Sequence, residues 1–185
     1  DQWAARGAPV EMVDRDTMAG LTGSPVYHGG WMHRSGGHIQ PLGYARGLAH
    51  AAIAAGASVH CRTPALELRR EGDRWRVLTP RGSVDADTVL LATNAYTDAL
   101  WPGLARSIVP VRSFHIATAP LSANVAATVL PDNHGFSDTR QALWAFRKDR
   151  DNRLVTTCMP FTPFSARRTL RRSTLARLRQ AYPQI

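Results

Sequence analysis

In the stretch Val84-Asp85-Ala86-Asp87-Thr88-Val89-Leu90-Leu91-Ala92-Thr93-Asn94-Ala95-Tyr96-Thr97, residues 88–92 form a short apolar run between acidic residues and Asn94. That length and β-branched content predict a strand buried on both faces, as in a parallel sheet. Residues 96–100 then read as one helical turn. Ligands of open α/β sheets sit beyond the carboxyl ends of the strands, so 92–96 is where a ligand is expected if the sheet binds a nucleotide. An ordinary buried strand and turn fits the same pattern.

Working outward, Pro41 suits the first position of a helix, where its missing N–H costs nothing, and Gly56 suits the stop. Leu42, Ala45, Leu48, Ala49, Ala52 and Ile53 fall on one face, which predicts packing on a sheet. Residues 57–60 read as a strand. Residues 64–69 and 74–79 alternate around Glu71-Gly72-Asp73 and read as a hairpin, with a second turn at Pro80-Arg81-Gly82. Upstream, Asp14 or Asp16 can cap a short helix ended by Gly23. Downstream of Pro102-Gly103, residues 108–118 read as a strand interrupted by Pro110, 121–129 as a helix and 135–139 as a turn. Residues 141–147 and 153–157 form another hairpin. Residues 165–182 form a basic amphipathic helix with Ser165 as cap and Leu170, Leu175, Leu178 and Tyr182 as its apolar stripe. The fold class is α/β in the mixed α+β sense. Its organisation is 1–40 as a segment and entry loop of a β-rich domain, 41–101 as part of a Rossmann-like domain, 102–164 as the β-rich domain and 165–185 as the basic helix.

The 185 residues are enough for one domain or parts of two. The formal charge of +9 is unevenly placed: residues 1–139 hold 12 Arg against 12 Asp and Glu, so the excess lies in the last quarter. A binding module for nucleic acid or acidic partners is one reading of that helix, and a steep loss of affinity with salt would mark it. No interleaved aromatics or fold motif accompanies it, so a solvated face on a docked helix is the reading adopted. Arg outnumbers Lys 22 to 1, as a GC-rich bacterial genome would also produce. His28, His33 and His38 recur at intervals of five but match no metal-ligand motif, and no metal is expected. Residues 113–131 lack charged side chains, yet Pro120 and Pro131 argue against a membrane span. Cys61 and Cys158 suit buried thiols in a reducing compartment, hence a cytoplasmic location, better than a disulfide framework. A chain beginning at Asp1 is expected to be an internal piece of a longer protein.

An ordered set of segments resembles the flavin-dependent amine and amino-acid oxidases of the D-amino-acid-oxidase superfamily, in particular the gamma-glutamylputrescine oxidase-like branch. The set runs from Gly36-Gly37-His38-Ile39-Gln40-Pro41-Leu42, through Gly56-Ala57 with Thr63-Pro64-Ala65, to Ala86-Asp87-Thr88-Val89-Leu90-Leu91-Ala92-Thr93-Asn94-Ala95-Tyr96. It continues with Ser113-Phe114-His115-Ile116-Ala117-Thr118-Ala119-Pro120-Leu121, Ser137-Asp138-Thr139-Arg140, Phe146-Arg147, Asn152-Arg153-Leu154 and Tyr182-Pro183-Gln184-Ile185. The resemblance implies FAD as cofactor, and oxidation of the C–N bond of a small amine or amino acid, gamma-glutamylputrescine-like, with oxygen or another electron acceptor. It implies that Ala65 contacts the adenine end of FAD through its backbone and that Ala92, Thr93, Asn94 and Tyr96 lie near the dinucleotide. It places His38 and Gln40 near the flavin ring, as active-site candidates, and makes Arg147 a partner for a substrate carboxylate. It names no catalytic base. Two features depart from the family pattern. No G-x-G-x-x-G turn is present to hold a pyrophosphate, and Thr156-Thr157-Cys158-Met159 stands where glycines are usual. The chain by itself is therefore expected neither to bind flavin stably nor to turn over.

Overall fold

The computed structural model describes residues 2–111, 113–140, 143–158 and 167–185. The chain forms two compact units, one made of the stretch ending at Pro41 together with the stretch running to Ile185, the other of Leu42–Val111.

In the first unit, β1 (Val10–Val13) pairs antiparallel with β2 (Gly30–His33). Between them lies α1 (Arg15–Thr22). Asp14 caps this helix, its carboxylate accepting from the Thr17 N–H at 2.8 Å, and Gly23 closes it in the left-handed region at φ 71°. Hydrogen bonding by Thr17, side chain first and then backbone, holds the Asp14 carboxyl below its ordinary value of 3.8. A depressed carboxyl contributes stability above its ordinary value and loses it as pH falls through the lowered one. Asp14→Asn keeps a cap without a titrating group. The stability gap between wild type and this variant is expected to shrink in acid, read by urea unfolding at a series of pH values. A gap that widens in acid would refute the capping account.

The centre of this unit is a four-stranded antiparallel sheet in the order β6-β9-β8-β7: β6 (Phe114–Ala117), β7 (Phe136–Ser137), β8 (Ala145–Lys148) and β9 (Leu154–Cys158). The short α3 (Ala123–Ala126) precedes β7, and α4 (Arg167–Ala181) follows β9. The β8–β9 turn is built by Asp149, whose carboxylate accepts from the N–H groups of Asp151 and Arg153, with Asn152 left-handed at φ 57°. Successive side chains of a strand point to opposite faces. Phe146, Lys148, Leu154, Thr156 and Cys158 are buried on one face. There Phe146 and Leu154 pack with Val129, Leu130, Leu178, Ala181 and Tyr182. Arg147, Val155 and Thr157 alternate with them on the other face.

The expected apolar stripe of α4 is thus confirmed at Leu170, Leu178 and Tyr182, while Leu175 is exposed. Its arginines Arg168, Arg171, Arg172 and Arg179 lie on the exposed side. The expected cap Ser165 and residues 141–142 of the expected strand lie outside the described residues. Residues 136–137, expected in a turn, instead pair with β8 through Phe136↔Phe146 and Ser137↔Ala145. The aromatic contact of Phe136 with Phe146 outweighs the turn-like composition around it.

The second unit holds α2 (Pro41–Ala54), which starts in the first unit at Pro41, and a meander β3 (Glu67–Glu71), β4 (Arg74–Thr79) and β5 (Gly82–Ala86). Gly72-Asp73 and Pro80-Arg81 make its two turns, as their composition predicts. Exposed ion pairs between Arg76 and Glu71, Arg76 and Asp85, and Arg74 and Asp87 cross this sheet. Pairs of this kind contribute little to stability.

The strand expected at 88–92 is not formed. β5 ends at Ala86, the chain then runs without a ladder partner among the described residues, and Leu90 is 86% exposed. A buried parallel strand needs a strand to pair with and cover on both faces, and residues 88–92 have neither among the described residues. The strand expected at 57–60 is likewise irregular. For the same reason the apolar face of α2, with Leu42, Leu48 and Ile53, is exposed instead of covering a sheet. The helical turn expected at 96–100 is a 3₁₀ turn at Asn94–Tyr96. No helix among the described residues is long and apolar enough to cross a membrane.

Candidate functional site: a recess on the open face of the sheet

The face of the four-stranded sheet turned away from the core is the floor of a recess of about 1160 Å³, lying wholly within the first unit. Its walls come from β2 and the loops on either side of it, and from residues 133–140. The floor is ordered by strand register. His115 stands opposite Thr157, and Arg147 stands opposite Val155. Ser137, paired with Ala145, extends the first row.

The two arginines of the recess differ in what they already hold. Arg140 forms an ion pair with Asp138 and lies over the Trp144 ring, 4.1 Å from its centroid. Asp138 also accepts from the Trp144 N–H at 2.8 Å. Arg147, half-buried on β8, has no hydrogen bond or ion pair with another described residue. Lys148, next to it, points the opposite way and donates to the Ala126 carbonyl at 2.7 Å, which anchors β8 from behind. A guanidinium with five unspent donors is suited to a carboxylate held bidentately.

Tyr27 is buried at the wall, edge-on to Phe136 at 5.0 Å. Burial, aided by the Asp138 carboxylate, pushes its phenol up to about 12. At neutral pH it is a hydroxyl and no base.

His38 is brought into the recess. Its Nε2 lies 2.8 Å from the Asn133 carbonyl, which requires the N–H on that nitrogen and leaves Nδ1 as an acceptor in the neutral ring. Gly135 permits this approach, since a Cβ there would stand 2.9 Å from His38 Cδ2. Gln40 is exposed at the entry to α2 and does not line the recess. His28 and His33 do line it. His115, Thr157 and Tyr27 also line the recess; His115 lies in the family-like segment 113–121 and Thr157 where glycines are usual, but neither segment points to a role in the site. The only signal for Thr157 was its alternation with Thr156 and Cys158 along β9.

The residues expected at the dinucleotide lie in the second unit. Ala65 is half-buried at the entry to β3. Ala92, Thr93, Asn94 and Tyr96 are exposed, Tyr96 by 92%. Asn94 is left-handed at φ 47°, and the Thr93 hydroxyl lies 2.6 Å from that of Thr97. No backbone N–H of residues 92–94 is donated to a carbonyl among the described residues. Such free donors fit one wall of a nucleotide site contacted through backbone. They do not make a pyrophosphate cradle, for which a glycine-rich turn at a helix N-terminus is needed.

Comparison with known proteins agrees with the resemblance. The family described as DAO, FAD dependent oxidoreductase, matches residues 1–185. The chain is 35% identical over 150 residues to the probable oxidoreductase OrdL of Haemophilus influenzae, a match covering 79% of this chain and 35% of that protein. It is 31% identical over 157 residues to gamma-glutamylputrescine oxidoreductase of Escherichia coli, covering 84% of this chain and 37% of that protein. Among solved structures, glycine oxidase from Geobacillus kaustophilus shares the fold with a TM-score of 0.70 at 17% identity, over 98% of this chain and 48% of that one. L-proline dehydrogenase from P. horikoshii does so with 0.75 at 15% identity, over 97% and 50%. The chain therefore spans about a third of the length of these curated relatives. By a family match along its whole length and relatives above 30% identity over most of it, this chain belongs to the family of FAD-dependent oxidoreductases.

Proposed function

We propose that this chain is the substrate-recess part, with a portion of the flavin-binding part, of an oxidoreductase acting on the C–N bond of an amine or amino acid. The unit built on the four-stranded sheet serves as the substrate domain, and Leu42–Val111 as a portion of the FAD-binding domain. The observation that carries the reading is Arg147, a guanidinium on the floor of the recess with no ion pair or hydrogen bond among the described residues. It holds a substrate carboxylate, and this fixes which end of the molecule enters first. A ligand of the gamma-glutamylputrescine type carries such a carboxylate. His38, held by Asn133, offers Nδ1 as a hydrogen-bond acceptor to the bound molecule. Tyr27 and Phe136 exclude water from the wall. FAD, when bound, supplies the hydride acceptor, and Ala65 and Ala92–Asn94 contribute part of its wall. The basic-helix module is the weaker reading, because α4 is docked by Leu170, Leu178 and Tyr182 and only its outer face carries charge.

Two preparations test this. The chain alone with added FAD is expected to show no bands of bound flavin, having no pyrophosphate cradle. The chain grafted in place of the matching segment of the E. coli relative is expected to bind flavin, and the flavin is expected to bleach anaerobically with an amine that also bears a carboxylate. A grafted protein that folds and binds flavin, yet is bleached by no such amine, would refute the assignment.

A further inference from the structure

The floor of the recess carries more unspent polar groups than Arg147. His115, Ser137 and Thr157 share one cross-strand row, because His115 pairs with Thr157 and Ser137 pairs with Ala145. The register Phe146↔Thr156 and Arg147↔Val155 sets Ala145 beside Thr157, which closes the row across the sheet. Arg147 lies in the adjacent row, diagonal to Thr157, within reach of one ligand. No side chain of these four makes a hydrogen bond with another described residue. On the opposite face of the same strands the polar side chain of Lys148 is satisfied by the Ala126 carbonyl. The four groups therefore lie together on the ligand side of the sheet, whereas on the core side Lys148 is satisfied and the Tyr182 hydroxyl is not.

We infer that His115 and Thr157 are specificity-determining residues that recognise a hydrogen-bonding group, such as an amide, carried a few bonds from the carboxylate held by Arg147. A hydroxyl donates and accepts, and a neutral imidazole does both through its two nitrogens. Side by side they match the paired donor and acceptor of an amide. Plain aliphatic carboxylates leave both groups without a partner. This inference rests on the proposed carboxylate-binding role of Arg147.

The test uses the whole chain and two ligands of similar length, pentanoate and N-acetylglycinate, titrated by NMR. N-acetylglycinate is expected to bind about 5- to 10-fold more tightly, as one or two net hydrogen bonds provide. Thr157→Val is expected to weaken N-acetylglycinate several-fold more than pentanoate, removing most of that preference, and Thr157→Ser to keep it. His115→Leu is expected to lower it as well. A merely structural role for Thr157 would shift both ligands together. Equal binding of the two ligands by wild type, or an unchanged preference in Thr157→Val, would overturn the inference. Failure of pentanoate itself to bind would instead overturn the role of Arg147, and the inference with it.

Discussion

Gly23→Ala is expected to destabilise the sheet-bearing unit by about 3–5 kcal/mol, at the severe end of single substitutions. Gly23 has φ 71°, where a side chain is strained, and a Cβ there would stand 1.8 Å from the Thr128 carbonyl oxygen. That oxygen belongs to backbone, so no rotamer change relieves the overlap. The surroundings cannot move apart freely either. The Leu130 N–H donates to the Thr22 carbonyl at 3.1 Å, and the Ser24 hydroxyl donates to the Ala181 carbonyl at 2.5 Å. Gln184 donates to the carbonyl of Gly23 itself at 3.0 Å. Three segments distant in sequence thus meet at residues 22–24. Urea unfolding reads the effect, with Gly37→Ala as control. A Cβ at Gly37 meets nothing within 4 Å, and its φ is not in the left-handed region. A loss below about 1 kcal/mol for Gly23→Ala would contradict this packing.

Arg147→Gln is expected to weaken pentanoate binding about 10- to 100-fold, since a bidentate, charge-assisted pair is lost and a single neutral amide remains. The same substitution is expected to leave unfolding unchanged within about 0.5 kcal/mol, because Arg147 has no ion pair within the described chain to lose. This combination separates a ligand-binding arginine from a structural one. Arg140→Gln should behave in the opposite way. It breaks the pair with Asp138 and the stacking on Trp144, so stability falls while pentanoate affinity changes less. Reversed roles for the two arginines in binding and stability would contradict the assignment of the floor.

The features legible in the sequence were those with local causes. Asp14, Pro41, Gly23 and Gly56 end or begin helices through groups within a turn of themselves. The hairpins at Gly72-Asp73 and around Asp149 declare themselves because turn and strands are contiguous. The β-branched apolar content of residues 88–92 signals a buried strand only when partner strands exist, and pairing is not a local property. β7 is not legible locally because Phe136 is held by Tyr27 and Phe146 and Ser137 by pairing with Ala145. The site followed the same division. Arg147 is legible from its motif, whereas His115 and Thr157 converge with it only through the register of β6, β8 and β9, and Tyr27 through its contact with Phe136. His38 was found as a residue, but not its bond to Asn133.

The most direct measurement is a two-dimensional NMR titration of the intact chain with pentanoate, following every amide. The account predicts saturable shifts at Arg147, Val155, Thr157 and His115, on the open face of the sheet, with α4 silent. Shifts confined to Arg168, Arg171 and Arg172 on the outer face of α4, or no saturable shift at all, would contradict it.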